Sequence, residues 1–110
     1  MALSTQLSQE VNQLHAEICA ALADPNRILM LYILSEAPRT VNDVAQLVGI
    51  SQPSTSRHLK VLRERGLVRA ERQGMSVEYR LADSRLIEAL DLLRLVLHDN
   101  VERRATLLEI

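Results

Sequence analysis

The chain has 110 residues, 47% apolar and 25% charged, with a net charge of -1 and only Tyr32 and Tyr79 as aromatics. That suffices for one domain with a modest aliphatic core, residues 1–110, and is too little for two. No apolar run reaches the length of a membrane span, and a single cysteine, Cys19, excludes an intramolecular disulfide framework.

The first nine residues are uncharged and unlike a secretion signal, so a cytoplasmic location is expected. Leu3, Leu7, Val11, Leu14, Ile18 and Leu22 recur three or four apart, which predicts an amphipathic helix over residues 1–22 with Gln6, Gln9, Glu10, Gln13 and Glu17 on its wet side. Such a stripe either covers the chain's own core or pairs with another subunit. Next, Asp24 is a favoured N-cap and Pro25 suits a first helical position, so a helix should run from Pro25 to about Glu36. Its interior, ILMLYIL, is apolar nearly all round and should be buried on most sides. Ala37, Pro38 and Arg39 then break the pattern.

Residues 40–66 read as two short helices joined by a tight turn. Thr40 can cap a helix starting near Val41, with Asp43 answering it in a short capping box, and Gly49 stops that helix while Ile50 plugs the corner. Ser51 offers a second cap and Pro53 falls in the first turn of a helix starting at Gln52 and closed by Gly66. Leu59, Val61 and Leu62 form its apolar stripe; Ser51, Gln52, Ser54, Thr55, Arg57, His58 and Lys60 form its polar side. A polar stripe is usually just a solvated face, but these residue types match a DNA duplex. Gln pairs bidentately with adenine and Arg with guanine, Ser and Thr reach base edges or phosphate, and a helix N-terminus favours phosphate oxygens. Charge agrees with this. Residues 57–80 carry seven Arg or Lys against three Glu, a local net of +4 in a chain whose total is -1.

After Gly66 the period changes to two, and residues 67–81 read as a β-hairpin, or wing. With Gln73 and Gly74 as turn residues, Val68 would face Tyr79, Ala70 would face Val77 and Arg69 would face Glu78. A longer tip loop in another register is the alternative. Asp83 or Ser84 should cap a last helix over residues 84–106. Leu86, Leu90, Leu93, Leu97 and Val101 stripe it, and Ile87, Leu92, Leu95 and Val96 widen the apolar surface beyond what one contact needs. The expectation is a homodimer joined through both terminal helices, with Leu7, Val11, Leu14, Ile18, Leu90, Leu93, Leu97 and Val101 at the interface.

His15 with Cys19, and His98 with Glu102, have metal-compatible spacing, but a sensing site should show a fuller ligand set. Neither a metal nor a cofactor is expected. Cys19 is a redox candidate only if its thiol is both exposed and of lowered pKa, or if the Cα atoms of two copies meet within about 7 Å. No Gly-rich phosphate loop, paired nucleophile and base, or carboxylate dyad occurs at usable spacing, so an enzyme is not expected.

The order of elements, together with LADPNRILMLYIL, SQPSTSRHLKVLRERGLV and QGMSVEYRL, resembles the ArsR family of bacterial winged-helix repressors over about Leu14 to Leu97. The resemblance implies a mainly α fold with a small β-hairpin, the winged helix-turn-helix, and a cytoplasmic homodimer. It also implies binding to an inverted-repeat operator and release by an effector or thiol modification. Carried over by position, Ser51, Gln52, Ser54, Thr55, Arg57 and His58 match operator-contacting residues, and Arg72 to Ser76 match the wing tip. The chain departs from the pattern in three places. TVNDVAQL lacks the cysteine pair of metal-sensing members, and Arg85 and Val101 stand where zinc-binding members carry ligands on the last helix. Met75 follows the tip glycine in place of a cation, so wing contact would rest on Arg72. The competing functional class is a protein-interaction module that uses the same basic face without preference among duplexes.

Overall fold

The computed structural model describes residues 2–109, so the extreme ends of the expected 1–110 domain lie outside it. Five helices and a three-stranded sheet build a winged helix-turn-helix.

Helix α1 spans Thr5–Leu14, its N-terminus satisfied by Ser4 Oγ, which accepts from the Leu7 N–H at 3.0 Å. The single helix expected over residues 1–22 does not form. A π-helical turn, His15–Cys19, closed by the Ala20 N–H to the His15 carbonyl at 3.0 Å, follows α1, and a 3₁₀ turn, Ala21–Ala23, follows that. A π turn takes in an extra residue per turn and so rotates everything after it. Leu7, Val11 and Leu14 accordingly stay exposed, whereas Ile18 and Leu22 pack half-buried against the core.

Helix α2, Pro25–Glu36, starts as expected: Asp24 Oδ1 accepts from the Asn26 N–H at 2.8 Å and the Arg27 N–H at 3.4 Å. Met30, Leu31 and Leu34 are buried at its centre, Ile28, Tyr32 and Ile33 pack half-buried against the core, and Leu29, 51% exposed, is the open residue of the run, so burial covers most sides as expected. The helix packs against every later helix and against the sheet.

A short strand that the sequence pattern did not announce, β1 (Arg39–Thr40), leads directly into α3, Val41–Val48. Thr40 ends the strand and also caps the helix, its Oγ1 accepting from the Asp43 N–H at 3.3 Å. Gly49, with φ of 83°, closes α3 in the left-handed conformation, and the Gly49 and Ile50 N–H groups both donate to the Ala45 carbonyl. Helix α4, Gln52–Glu64, opens on Ser51, whose Oγ accepts from the Ser54 N–H at 3.2 Å. It ends when the Gly66 and Leu67 N–H groups turn back to the Arg63 and Leu62 carbonyls.

Strands β2 (Val68–Gln73) and β3 (Ser76–Leu81) form the wing, and the sheet order is β1-β3-β2. The register differs from the expected one by two residues. Val68 faces Leu81, Ala70 faces Tyr79 and Gln73 faces Ser76, which makes Gly74 and Met75 the turn. Gly74, at φ of 64°, supplies the positive φ that a tight hairpin turn needs at its first central residue. A slip of two leaves every side chain on its original face, so hydrophobic alternation is blind to it and turn geometry decides. The cost is that Arg69 faces Arg80 and Glu71 faces Glu78; the diagonal ion pair from Arg80 to Glu71, at 3.3 Å, offsets this.

Helix α5, Arg85–Glu109, is the longest element. Asp83 Oδ1 accepts from the Arg85 N–H at 2.9 Å and Oδ2 from its guanidinium at 2.6 Å, which holds the Asp83 carboxyl at about 2, well below its ordinary value. Farther along, the Tyr32 hydroxyl donates to Asp91 at 2.6 Å, with Arg94 over the tyrosine ring at 5.3 Å, tying α5 to α2. Burial, then the Asp91 carboxylate, push the Tyr32 phenol above its ordinary range. Leu59 and Leu62 of α4, Val44 of α3, Val68 of β2 and Leu90 of α5 meet the α2 residues in one aliphatic core.

Candidate nucleic-acid interface

Helix α4 sits on this core through Thr55, Leu59 and Leu62, all fully buried, and its opposite side faces solvent. Gln52, Pro53, Ser56, Arg57, Lys60 and Arg63 are exposed there, and a shallow cleft lined by the last five runs between the helix and Tyr79 of the wing. A second cleft joins Gln52 to Thr40, Val41 and Asn42 at the start of α3 and to Ser76 and Val77 of the wing. One surface thus combines a capped helix N-terminus, side chains of the types able to hydrogen-bond base edges, and cations.

The sequence-derived set divides on this surface. Ser51 is used as the cap, and Gln52, Arg57 and Lys60 are exposed. Ser54, half-buried, accepts from Arg57 Nη2 at 3.1 Å and so steadies that guanidinium. Thr55 is a correction. It is 0% exposed, its Oγ1 donating to the Ser51 carbonyl at 2.9 Å, and it cannot reach a base. A threonine hydroxyl satisfied by the carbonyl four residues back leaves its methyl free to fill a core position. His58 is half-buried, its Nδ1 lying 3.3 Å from Arg27 Nη1 of α2. Ser56 was missed, although its spacing of four from both Gln52 and Lys60 places it on their stripe.

Arg57, Lys60, Arg63 and Arg72 form no ion pair among the described residues, whereas Arg65 and Arg80 are bound to Glu17 and Glu71. Arg69 of the wing is likewise without an ion pair among the described residues, as are Arg27 on α2 and Arg103 and Arg104 on α5, so α4 and the wing hold five of eight such cations. Arg72 is exposed near the tip, and Met75 at the tip stands clear of the protein.

Away from this face, the terminal helices leave apolar surface open. Leu7, Val11 and Leu14 are 46%, 50% and 48% exposed, and Leu93, Leu97 and Val101 are 62%, 60% and 53% exposed. Leu90 is the exception at 5%; it belongs to the core and joins α5 to it. An apolar groove containing Leu14, Ile18, Leu22, Leu86 and Leu93 separates the N-terminal segment from α5, and the exposed thiol of Cys19 lies along it. His15 and Cys19 bracket the π turn. His98, Asp99 and Glu102 gather on the exposed side of α5, with the two carboxylates at opposite nitrogens of the imidazole, 3.8 Å from Nδ1 and 3.6 Å from Nε2.

Comparison with known proteins agrees with this architecture. The model of the bacterial regulatory protein arsR family matches residues 24–70, from the α2 cap into the wing. Over 103 residues the chain is 35% identical to the uncharacterized helix-turn-helix-type transcriptional regulator Rv0081 of Mycobacterium tuberculosis, covering 93% of this chain and 90% of that one. The chain belongs to the ArsR family. The crystal structure of Rv0081 superposes with a TM-score of 0.77 at 34% identity, over 86% of this chain and 96% of the other. A winged helix-turn-helix DNA-binding domain from Mycobacterium bovis, solved in solution as a homodimer, gives 0.73 at 27% identity over 90% and 92% of the two chains. The helix-turn-helix-type transcriptional repressor SmtB of Mycobacterium tuberculosis is 40% identical over 78 residues, 71% of this chain and 58% of its own length. The chain thus spans less than two thirds of that repressor. No helix among the described residues is long and apolar enough to cross a membrane.

Proposed function

We propose that the chain is a cytoplasmic, sequence-specific transcriptional repressor that binds an inverted-repeat DNA operator as a homodimer and is released by an effector. The observation that carries this reading is the exposed side of α4. Gln52, Ser56 and Arg57 offer base-edge donors and acceptors there, and Lys60, Arg63 and Arg72 offer unpaired charge for the flanking phosphates. A capped helix backed by a fully packed core is the rigid support such readout requires. The open leucine faces of α1 and α5 supply a means to hold two reading helices at half-site spacing, about 34–36 Å for one turn of DNA. The names of the relatives support the repressor role, and the homodimeric neighbour supports the assembly.

The test is a fluorescence-anisotropy titration against the chain's own upstream DNA and a scrambled duplex of equal composition, at two salt concentrations. The proposal expects tight, saturable binding to the first, at least about 10³-fold weaker binding to the second, and affinity that falls steeply with salt as counterions are released. Equal affinity for both duplexes would overturn it in favour of a protein-interaction module.

A further inference from the structure

Arg27 occupies an unusual position. Its guanidinium, half-buried beside the start of α2, donates from Nε to the Ala21 carbonyl at 2.6 Å and from Nη2 to the Ala20 carbonyl at 3.3 Å. Those carbonyls lie where the N-terminal segment leaves the π turn for the 3₁₀ turn. The remaining arm, Nη1, meets Nδ1 of His58 at 3.3 Å, thirty-one residues away on α4. Arginine has no acceptor, so the imidazole must accept through a bare Nδ1 and carry its proton on Nε2. One planar fork therefore joins the segment leading from α1 to the middle of the reading helix. A second tie runs beside it, from Glu17 in the π turn to Arg65 at the end of α4, at 3.1 Å. That pair is exposed on both sides and contributes little by itself.

We propose, resting on the DNA-reading function above, that Arg27 is a positioning residue. It fixes the angle of α4 against residues 15–23, so that displacement of that segment, by a partner or an effector, reaches the reading face through His58. No other side chain bridges the two with three directed donors among the described residues. The planar guanidinium suits the task because its donors are held in a fixed fork; an ammonium at the same place is a single point charge. His58 is thereby a structural acceptor, in keeping with its half-buried place off the exposed stripe of α4.

The test uses the full chain and two probes, the upstream duplex and its scrambled counterpart, with melting temperature and sedimentation as controls. Arg27→Met is expected to lose about tenfold in affinity for the upstream duplex while keeping its affinity for the scrambled one and its assembly state. Arg27→Lys should behave similarly. His58→Leu should match Arg27→Met, the double variant should be no worse than either single, and His58→Asn, which keeps an acceptor near the Nδ1 position, should stay within twofold of wild type. Discrimination retained in Arg27→Met while wild type discriminates overturns the inference alone. So do additive losses in the double variant, or equal losses by His58→Leu and His58→Asn. Should Arg27→Met fail to fold, the contrast between the two His58 variants decides. A wild-type protein that grips both duplexes equally overturns the DNA-reading function and this inference together.

Discussion

Thr55 shows how a polar residue of α4 can belong to the core. Its distances of four and seven from Leu59 and Leu62 were visible in the chain, but a hydroxyl reads as outward-facing until its carbonyl partner is known. Thr55→Val is expected to lower stability by about 1 kcal/mol, since the lost bond is one neutral hydrogen bond, without changing discrimination between duplexes. Denaturant midpoints and anisotropy separate the two effects. Gln52 and Arg57 were legible because exposed residues near a helix start need only local spacing to be placed. Each should matter for specificity: Gln52→Ala or Arg57→Ala is expected to cost about 1–3 kcal/mol at the base pair it reads, and Lys60→Ala to weaken all duplexes uniformly and reduce the salt slope by about 1. Arg27 was not legible at all. Its contact with His58 spans thirty-one residues, which no local pattern encodes.

At the scale of elements, caps and closures carried most of the information. Asp24, Thr40, Ser51 and Gly49 each fix a boundary with their own atoms, so the helix-turn-helix could be drawn from the chain alone. Gly49 has open space around its Cα, so Gly49→Ala costs only the left-handed backbone, about 1–2 kcal/mol, measurable by thermal unfolding. The wing register and strand β1 were hidden because both depend on pairing partners and a two-residue slip preserves the faces. The cap of α5 has a pH signature. Asp83 is held at about 2 in the folded chain, below the ordinary carboxylate value, so its contribution is complete above that ordinary value and vanishes as pH falls through about 2. The stability gap between wild type and Asp83→Asn should therefore be constant from pH 7 to 5 and close toward pH 2, as read from denaturant midpoints.

On the scale of the whole molecule, the chain is more extended than its length requires. Its radius of gyration is 17.2 Å, against about 13 Å for a compact chain of this size. The terminal helices reach away from the core with leucines exposed, a shape whose apolar surface a second copy would cover. Leu93→Glu together with Leu97→Glu is expected to yield a folded monomer in sedimentation and to weaken operator binding at least about a hundredfold, since only one half-site is then held. The central claim, that the exposed side of α4 reads bases, is tested most directly by a complete single-base scan of the operator with wild type and Arg57→Ala. The account predicts that wild type discriminates at symmetric positions in both half-sites, and that Arg57→Ala loses discrimination at one matched pair of them while keeping the rest. Uniform affinity across the scan for wild type, or an Arg57→Ala profile weakened equally at every position, would contradict it.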